Sequence, residues 1–299
     1  MLSRSMKKSM KLRIVLGSTM AALILGGLWL DWFLQQQAEF RLTALPMAAL
    51  LAAIAALAFV ELSRMAGASG VGMLWVSGLA GTLAVATMPA WRQWTDIRDA
   101  SLLATILPLL GLITMGIFVE QMIRHRAADA LRRIACTSLA VLYVGVGLAL
   151  MLLIRMQSGV PVLVLFLAAV KLTDVGAYFT GAAFGRHKLI VWLSPGKSWE
   201  GLIGGLATAA AACLLTTWLL RIDVFGSPLG AALTICRTIL FGAVVGATGQ
   251  LADLCESLLK RSSGLKDSGA LVPEFGGILD IIDSPLLAAP VAIVLLNCL

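Results

Sequence analysis

The part of this sequence best suited to chemistry is a charged stretch, Gly249–Ser284, within an otherwise apolar chain. Inside it, Asp253, Glu256, Ser257 and Lys260 follow the spacing i, i+3, i+4 and i+7. Positions with this spacing share one face of a helix. The stretch therefore predicts a helix that presents two carboxylates, a hydroxyl and an amine on the same side.

More charged residues follow this predicted helix. Asp280 and Asp283 are one helical turn apart, and Lys266 and Asp267 lie in the serine- and glycine-rich loop that precedes them. Carboxylates that converge from two helices form an oxygen-ligand site suited to Mg²⁺, with phosphate oxygens completing its shell. The alternative is a set of salt bridges between helix ends at the membrane surface.

A second motif, SPGKSWEG at residues 194–201, has the composition of a phosphate-holding loop. Its proline and glycine interrupt any helix, so we expect Ser194 or Ser198 to cap the next one, with Glu200 in its first turn. The free N–H groups of that helix start, together with Lys197, would hold a phosphate. The spacing is not that of the P-loop and does not predict an ATPase. The predicted substrate-binding residues of this motif are Ser194, Pro195, Lys197, Ser198, Glu200 and Gly201.

A third motif, KLTDVGAYFTGAAFGRHKL at residues 171–189, begins inside an apolar run. Lys171, Asp174 and Tyr178 share one helical face in this motif. Ionisable residues within a membrane span indicate a functional site, and we predict that these three contact substrate. The alternative is that Lys171 and Asp174 only neutralise each other. The glycines and alanines of the motif allow close helix packing or substrate access, and the sequence does not choose between the two.

The elements that must position these motifs are membrane helices. The chain has 299 residues, of which 60% are hydrophobic and 13% charged. A span needs roughly 20 apolar residues, and by that measure we expect about nine transmembrane helices in an all-α polytopic membrane protein. The predicted spans lie near residues 13–32, 43–63, 70–90, 101–119, 134–154, 159–183, 201–220, 232–257 and 278–298.

Charge and composition indicate how the chain is oriented and organised. Basic residues are concentrated in the connecting segments that lie on the same side of the predicted membrane as the N-terminus. Because basic segments usually face the cytoplasm, the N-terminus is predicted to be cytoplasmic. The three motifs fall on the same side, which predicts a polar active-site cavity in the C-terminal half that opens to the cytoplasm. Residues 1–155 are expected to form a transmembrane scaffold with possible oligomer contacts, and residues 156–299 the catalytic region. Glu61, at the end of the second predicted span, is interpreted as a cap or an anchor.

Other features exclude several classes of function. The net charge of +7 is explained by loops that face anionic lipid, so no nucleic-acid partner is expected. The five cysteines are scattered and the two histidines are far apart, which argues against a disulfide framework and a zinc site. The apolar run after the basic N-terminus lacks a cleavage site, and we interpret it as an uncleaved first span.

Three segments of the chain resemble motifs of the phosphatidate cytidylyltransferases, also called CDP-diacylglycerol synthases. Residues 257–283 are similar to the family's pattern S-x-x-K-R-x4-K-D followed by H-G-G-x-x-D-R-x-D. The segment DVGAYFTGAAFGRHKL resembles DTGAYF-x-G-x-x-F-G-x-x-KL, and SPGKSWEG resembles SPKKTWEG. The motifs occur in the family's order.

The resemblance implies a cytoplasm-facing enzyme of the inner plasma membrane that converts CTP and phosphatidate, or another lipid phosphate, to a CDP-lipid and pyrophosphate. It implies Mg²⁺ at Asp253 and Asp280, with Glu256 and Asp283 as supporting ligands, and leaves a second cation open. Membrane lipid and a homodimer partner are also implied. The implied catalytic residues are Asp253, Lys260, Arg261, Lys266, Asp267, Asp280 and Asp283, and Ser257 is an implied substrate contact.

The chain departs from the family pattern at five positions, three of them near the expected phosphates. Gly196 replaces a Lys, Val175 replaces a Thr, and Ala252 replaces a Gly. Phe275 stands where the pattern has His, and Ile281 stands where it has Arg. These departures leave open a divergent paralogue that acts on another lipid phosphate, or one with weakened activity. A transporter of an ion or anion is the remaining alternative, and it predicts flux without pyrophosphate release.

Overall fold

A computed structural model of the chain describes residues 26–27, 29–34, 44–95, 101–226, 231–265, 268–269 and 276–299. The predicted site residues Lys266 and Asp267 lie outside the described residues, and so do Phe275 and most of the first predicted span. The described part of that span, residues 26–27 and 29–32, is helical, and the helix continues to residue 34.

Long helices form nearly all of the described chain. They are α1 (Leu45–Ala68), α2 (Trp75–Trp94), α3 (Leu102–Glu120), α4 (Ala130–Ala140), α5 (Gly147–Ser158), α6 (Val160–Phe184), α7 (Trp199–Leu220), α8 (Ala231–Ser262) and α9 (Leu279–Cys298). A π-helical turn, Gln121–His125, extends α3, and another, Val141–Val146, joins α4 to α5. Two short antiparallel strands, β1 (Lys188–Ile190) and β2 (Ser194–Ser198), form a hairpin between α6 and α7.

Seven helical segments in the described part of the chain are long and apolar enough to cross a membrane. They are Leu45–Ala68, Leu102–His125, Ala130–Ser158, Val160–Phe184, Trp199–Leu220, Ala231–Ser262 and Leu279–Cys298. The prediction of an all-α polytopic membrane protein is therefore confirmed. The count of about nine spans stays a prediction, since α2 is helical over much of the predicted span 70–90 without being one of these seven.

The outward surface of α3 shows why this chain needs a lipid environment. The most apolar stretch of Leu102–His125 has a mean hydropathy of 2.4, yet only 11% of it is buried inside the protein. Leu103, Leu107 and Leu112 are all more than half exposed. A helix with an exposed apolar surface of this kind suits hydrocarbon, because its backbone hydrogen bonds are satisfied internally.

The chain divides into two compact units. The first comprises residues 1–152 and 263–281, and the second comprises residues 153–262 and 282–299. Each unit combines segments that are distant in the sequence.

In the first unit, α1 and α2 pack through an aromatic contact. The rings of Phe59 and Trp75 meet edge to face, with centroids 5.7 Å apart. At the start of α2, the buried carboxylate of Glu120 accepts hydrogen bonds from the backbone N–H groups of Val76 (3.3 Å) and Ser77 (2.7 Å). This carboxylate caps the helix, because the first N–H groups of a helix have no partner within it.

In the second unit, glycines bring α6, α7 and α8 into close contact. A Cβ added to Gly201 would lie 2.9 Å from the carbonyl oxygen of Ala177, and one added to Gly205 would lie 2.9 Å from that of Thr173. A Cβ added to Gly242 of α8 would lie 2.8 Å from a backbone oxygen of α7. Small residues let membrane helices approach in this way, so polar side chains on these helices are brought near one another.

Candidate active site

Three carboxylates converge in the second unit. Asp253 and Glu256 belong to α8 and Asp283 to α9, and one oxygen from each lies within 4.8 Å of the other two. Glu256 and Asp283 are 1% and 2% exposed, whereas Asp253 is half-buried. Negative charges this close repel each other unless a positive charge balances them. Oxygen donors grouped in this way suit Mg²⁺, so the residues present fit the metal that the sequence predicts.

Lys260 supplies a positive charge to this cluster from the next turn of α8. Its Nζ donates to Glu256 Oε2 at 2.6 Å, and the two side chains are 14% and 1% exposed. A pair of this kind is held where water cannot screen it, so the attraction between its members is strong. Lys260 therefore offsets the charge of Glu256 within the site.

Lys197, in strand β2 of the hairpin, contacts the same cluster. Its Nζ lies 2.5 Å from Asp253 Oδ2 and donates to the backbone oxygen of Gln250 at 2.9 Å. The second sequence motif thus contacts the helix that carries the charged stretch. Phosphate groups near Asp253 would also be near this ammonium.

The third sequence motif joins the cluster through a glutamine. Gln250 Nε2 donates to Asp174 Oδ1 at 2.7 Å, which links α8 to α6. The positive charge of Lys171 acts on both Asp174 and Asp283. The sequence alone does not indicate Gln250. It shares a helical face with Asp253, but an uncharged side chain gives no charge signal.

The base of the hairpin is fixed by two residues of the SPGKSWEG motif. Ser198 Oγ accepts a hydrogen bond from Gly201 N at 3.1 Å, so Ser198 rather than Ser194 caps α7, one of the two expected alternatives. The Glu200 carboxylate accepts hydrogen bonds from the backbone N–H groups of Arg186 and His187 at 3.2 Å. Glu200 Oε1 also lies 2.6 Å from His187 Nδ1. Glu200 therefore connects the two ends of the hairpin segment that carries Lys197.

The other predicted site residues of the second unit differ widely in exposure. Tyr178 is 72% exposed and its ring meets Phe179 edge to face. Ser194 is half-buried, Pro195 is exposed, and Gly201 is buried where α7 crosses α6. Ser257 is half-buried next to Glu256, and Arg261 is exposed in the last turn of α8.

Asp280 lies in the first unit and is held by the loop that precedes α9. Its Oδ2 accepts hydrogen bonds from Gly277 N at 2.6 Å, Ser268 Oγ at 2.9 Å and Ser268 N at 3.1 Å. The carboxylate thereby holds two parts of this loop together. Among the described residues, the carboxylates that converge are Asp253, Glu256 and Asp283. A ligand role for Asp280 stays a prediction.

Comparison with known proteins gives both a family match and named relatives. The sequence profile of the cytidylyltransferase family matches residues 11–299. A phosphatidate cytidylyltransferase of Haemophilus influenzae is 45% identical over 117 residues, which are 39% of this chain and 39% of that protein. One of Pseudomonas aeruginosa is 40% identical over 168 residues, 55% of this chain and 57% of that protein. One of Staphylococcus epidermidis is 31% identical over 243 residues, 80% of this chain and 86% of that protein. The chain thus matches less than two thirds of the length of the first two relatives.

Proposed function

This chain belongs to the cytidylyltransferase family, and on that premise we propose that it transfers a cytidylyl group from CTP to phosphatidate. The products are CDP-diacylglycerol, a precursor for phospholipid synthesis, and pyrophosphate. The observation that carries the proposal is the cluster of Asp253, Glu256 and Asp283 beside Lys197 and Lys260. It lies in the region matched by the family, and it combines acidic oxygens with amines as a metal-nucleotide requires.

In the proposed reaction, an oxygen of the lipid phosphate attacks the α-phosphorus of CTP. A new P–O bond forms, the bond to the oxygen of the β-phosphate breaks, and pyrophosphate leaves. The attacking oxygen is already anionic at neutral pH, so the protein does not need a strong base. Catalysis then depends on positioning and on neutralising phosphate charge. Lys197, Lys260, Arg261 and Lys266 are the residues proposed for that neutralisation.

The proposed cofactor is Mg²⁺, held by Asp253, Glu256 and Asp283. When bound, this ion would polarise phosphate oxygens and offset their charge. Asp280 is a proposed further ligand and Asp267 a proposed catalytic residue on the family resemblance, which also leaves room for a second cation. The protein's own part is to keep the carboxylates in one place and to prevent their mutual repulsion from separating them.

The remaining parts of the proposal concern substrates and surroundings. The hairpin with Ser194, Lys197 and Ser198 would hold the nucleotide or the lipid phosphate. Lys171, Asp174, Tyr178 and Ser257 would line a polar cavity that opens to the cytoplasm. We place the protein in the inner plasma membrane with about nine spans, a cytoplasmic N-terminus and a homodimeric partner, as the positive-inside rule and the family resemblance imply.

Pyrophosphate release tests the proposal. Purified protein in detergent with Mg²⁺, CTP and phosphatidate should release pyrophosphate. Asp253→Ala and Asp283→Ala should each lower kcat about 100-fold or more, since such groups act on charge in the transition state. Asp223→Ala, which removes an exposed carboxylate three residues after the end of α7, is the control and should keep the wild-type rate. The proposal fails if wild type releases no pyrophosphate, or if both site variants are folded and fully active.

A further inference from the structure

A buried glutamate of α1 holds the loop that leads into α9. Glu61 is 0% exposed. Its Oε1 accepts a hydrogen bond from Ile278 N at 2.9 Å, and its Oε2 accepts one from Leu279 N at 2.9 Å. A third donor, Ser268 Oγ, lies 3.2 Å from Oε2. Glu61 therefore caps α9 from a helix more than 200 residues away in the sequence.

The described glycines of this loop leave room for this carboxylate. A Cβ added to Gly269 would lie 2.7 Å from Glu61 Oε1, and one added to Gly277 would collide with the Glu61 carboxylate and the Ser268 hydroxyl. Gly276 has φ +89°, a conformation that residues with a side chain rarely adopt. The glycines of this loop thus allow the backbone to close around Glu61.

Ser268 connects Glu61 to Asp280. Its hydroxyl lies 3.2 Å from Glu61 Oε2 and 2.9 Å from Asp280 Oδ2, and its backbone N–H donates to Asp280. Ser268 itself is 3% exposed, so water has little access to compete for these hydrogen bonds. A change at Glu61 is therefore transmitted directly to the segment that orients Asp280.

We propose that Glu61 is a positioning residue for the transfer reaction, because it fixes Ser268 and the start of α9 and so sets the orientation of Asp280. This inference rests on the proposed function. A carboxylate is required in this place, since both of its oxygens accept from backbone N–H groups. A glutamine would offer one acceptor oxygen and would direct its NH₂ group toward the other N–H.

The first unit offers a matched control for a purely structural role. Glu120 is 9% exposed and also caps a helix, accepting hydrogen bonds from Val76 N at 3.3 Å, Ser77 N at 2.7 Å and Ser77 Oγ at 2.6 Å. Like Glu61, it accepts hydrogen bonds from two backbone N–H groups and one hydroxyl, and it also forms an ion pair with Arg124 at 3.4 Å. Its hydrogen-bond donors belong to α2, Arg124 lies one turn after it in Gln121–His125, and none of these is a predicted site residue.

The experiment compares Glu61→Gln with Glu120→Gln in the full chain in detergent. Glu61→Gln should lower kcat about tenfold and raise the Mg²⁺ concentration for half-maximal rate several-fold, as expected for the loss of charge-assisted hydrogen bonds. Its KM for CTP should change less than its kcat. Hydrogen exchange should become faster at the amides of Ile278 and Leu279. Glu120→Gln should unfold at a lower temperature but keep kcat per folded molecule and the Mg²⁺ dependence.

A second variant keeps the inference testable if Glu61→Gln does not fold. Ser268→Ala preserves both backbone hydrogen bonds to Glu61 and removes the hydroxyl, and it should change the Mg²⁺ dependence in the same direction by about two- to threefold. Wild-type kinetics in Ser268→Ala and in any folded Glu61→Gln would overturn the inference, as would equal kinetic losses in Glu120→Gln. If wild type shows no turnover, the proposed function fails instead, and amide exchange alone decides whether Glu61 anchors the loop.

Discussion

At the scale of single residues, Lys197 contacts the carboxylate cluster for which we propose Mg²⁺. Its Nζ lies 2.5 Å from Asp253 Oδ2, and Asp253 is one of the three converging carboxylates. Two positive charges near one carboxylate repel each other, so the ammonium weakens the attraction of the cluster for a metal ion. The same ammonium would stabilise phosphate oxygens once CTP binds. On the proposed function, Lys197 would therefore affect metal binding and turnover in opposite directions.

Lys197→Met should therefore have two effects. Removing the ammonium leaves the carboxylate cluster more negative, so affinity for a divalent cation without CTP should rise about fivefold, in line with a partly exposed ion pair. The cytidylyl transfer rate should fall about tenfold or more, because one phosphate-neutralising charge is lost. Mn²⁺ binding followed by electron paramagnetic resonance gives the first quantity, and pyrophosphate release gives the second.

An exposed lysine of the same hairpin is the control. Lys188→Met removes an equal charge from β1, and cation affinity should stay within about twofold of wild type because solvent screens exposed charges. If Lys197→Met binds Mn²⁺ no more tightly than Lys188→Met, then Lys197 does not compete with the metal.

Single residues also show how far the sequence could predict the site. The spacing of Asp253, Glu256 and Lys260 depends only on helix geometry, and the structure places all three in one cluster, as that spacing predicts. Gln250 could not be selected, since its partner Asp174 is 76 residues away and is reached only through the packing of two helices. The sequence indicates that Glu61 is a cap or an anchor. It does not indicate that Glu61 caps α9, because that contact forms only through tertiary packing.

At the scale of elements, the helices were predictable and the hairpin was not. The apolar runs 159–183, 201–220 and 278–298 differ by at most two residues from α6, α7 and α9. The thickness of the membrane sets the length of a spanning apolar run, so the positions of these helices can be predicted from composition alone. The strands β1 and β2 are held together by their own short pairing and by Glu200. Neither of these two interactions produces an alternation of apolar and polar residues in the sequence.

The close crossing of α6 and α7 leads to a prediction for Gly205. Gly205→Val places a Cβ about 2.9 Å from the carbonyl oxygen of Thr173, so the helices must separate. We expect a loss of about 2 kcal/mol in the free energy of unfolding, typical of overpacking in a well-packed contact. Transfer activity should fall as well, because α6 carries Asp174. Unfolding by denaturing detergent, followed by circular dichroism, measures the first effect.

A glycine of α3 provides the comparison. Gly111 is exposed. Apart from the adjacent residues and the nearby backbone of its own helix, no described atom lies within 4 Å of a Cβ added there. The free energy of unfolding of Gly111→Val should therefore lie within about 0.5 kcal/mol of the wild-type value, as is usual for surface substitutions. Equal losses in the two variants would mean that valine disturbs the helices themselves and not the contact between α6 and α7.

At the scale of the whole molecule, the compact units do not follow chain order. Residues 263–281 belong to the first unit although they follow α8 in the sequence. A hydrogen bond such as that from Leu279 N to Glu61, which joins residues 218 positions apart, leaves no trace in local composition. The predicted division of roles between residues 1–155 and 156–299 therefore stays a prediction, and functional data must decide it.

Orientation in the membrane is the property of the whole molecule that the charges predict most directly. Lys260 and Arg261 end α8, whereas the last turn of α9 has no basic residue. Since α9 is long enough for one crossing, Ser262 and Cys298 should lie on opposite sides, with Ser262 cytoplasmic by the positive-inside rule. Both positions are exposed, which makes them suitable for chemical labelling.

Labelling of intact cells with a membrane-impermeant maleimide tests this orientation. A variant that retains only Cys298 of its five cysteines should react, whereas a cysteine-free variant with Ser262→Cys should react only after the membrane is permeabilised. Reaction of both variants in permeabilised cells shows that each thiol is accessible, which separates sidedness from burial. The reverse pattern would place the charged end of α8 outside the cell, where cytoplasmic CTP cannot reach Lys260, and the proposed function would then be excluded together with the orientation.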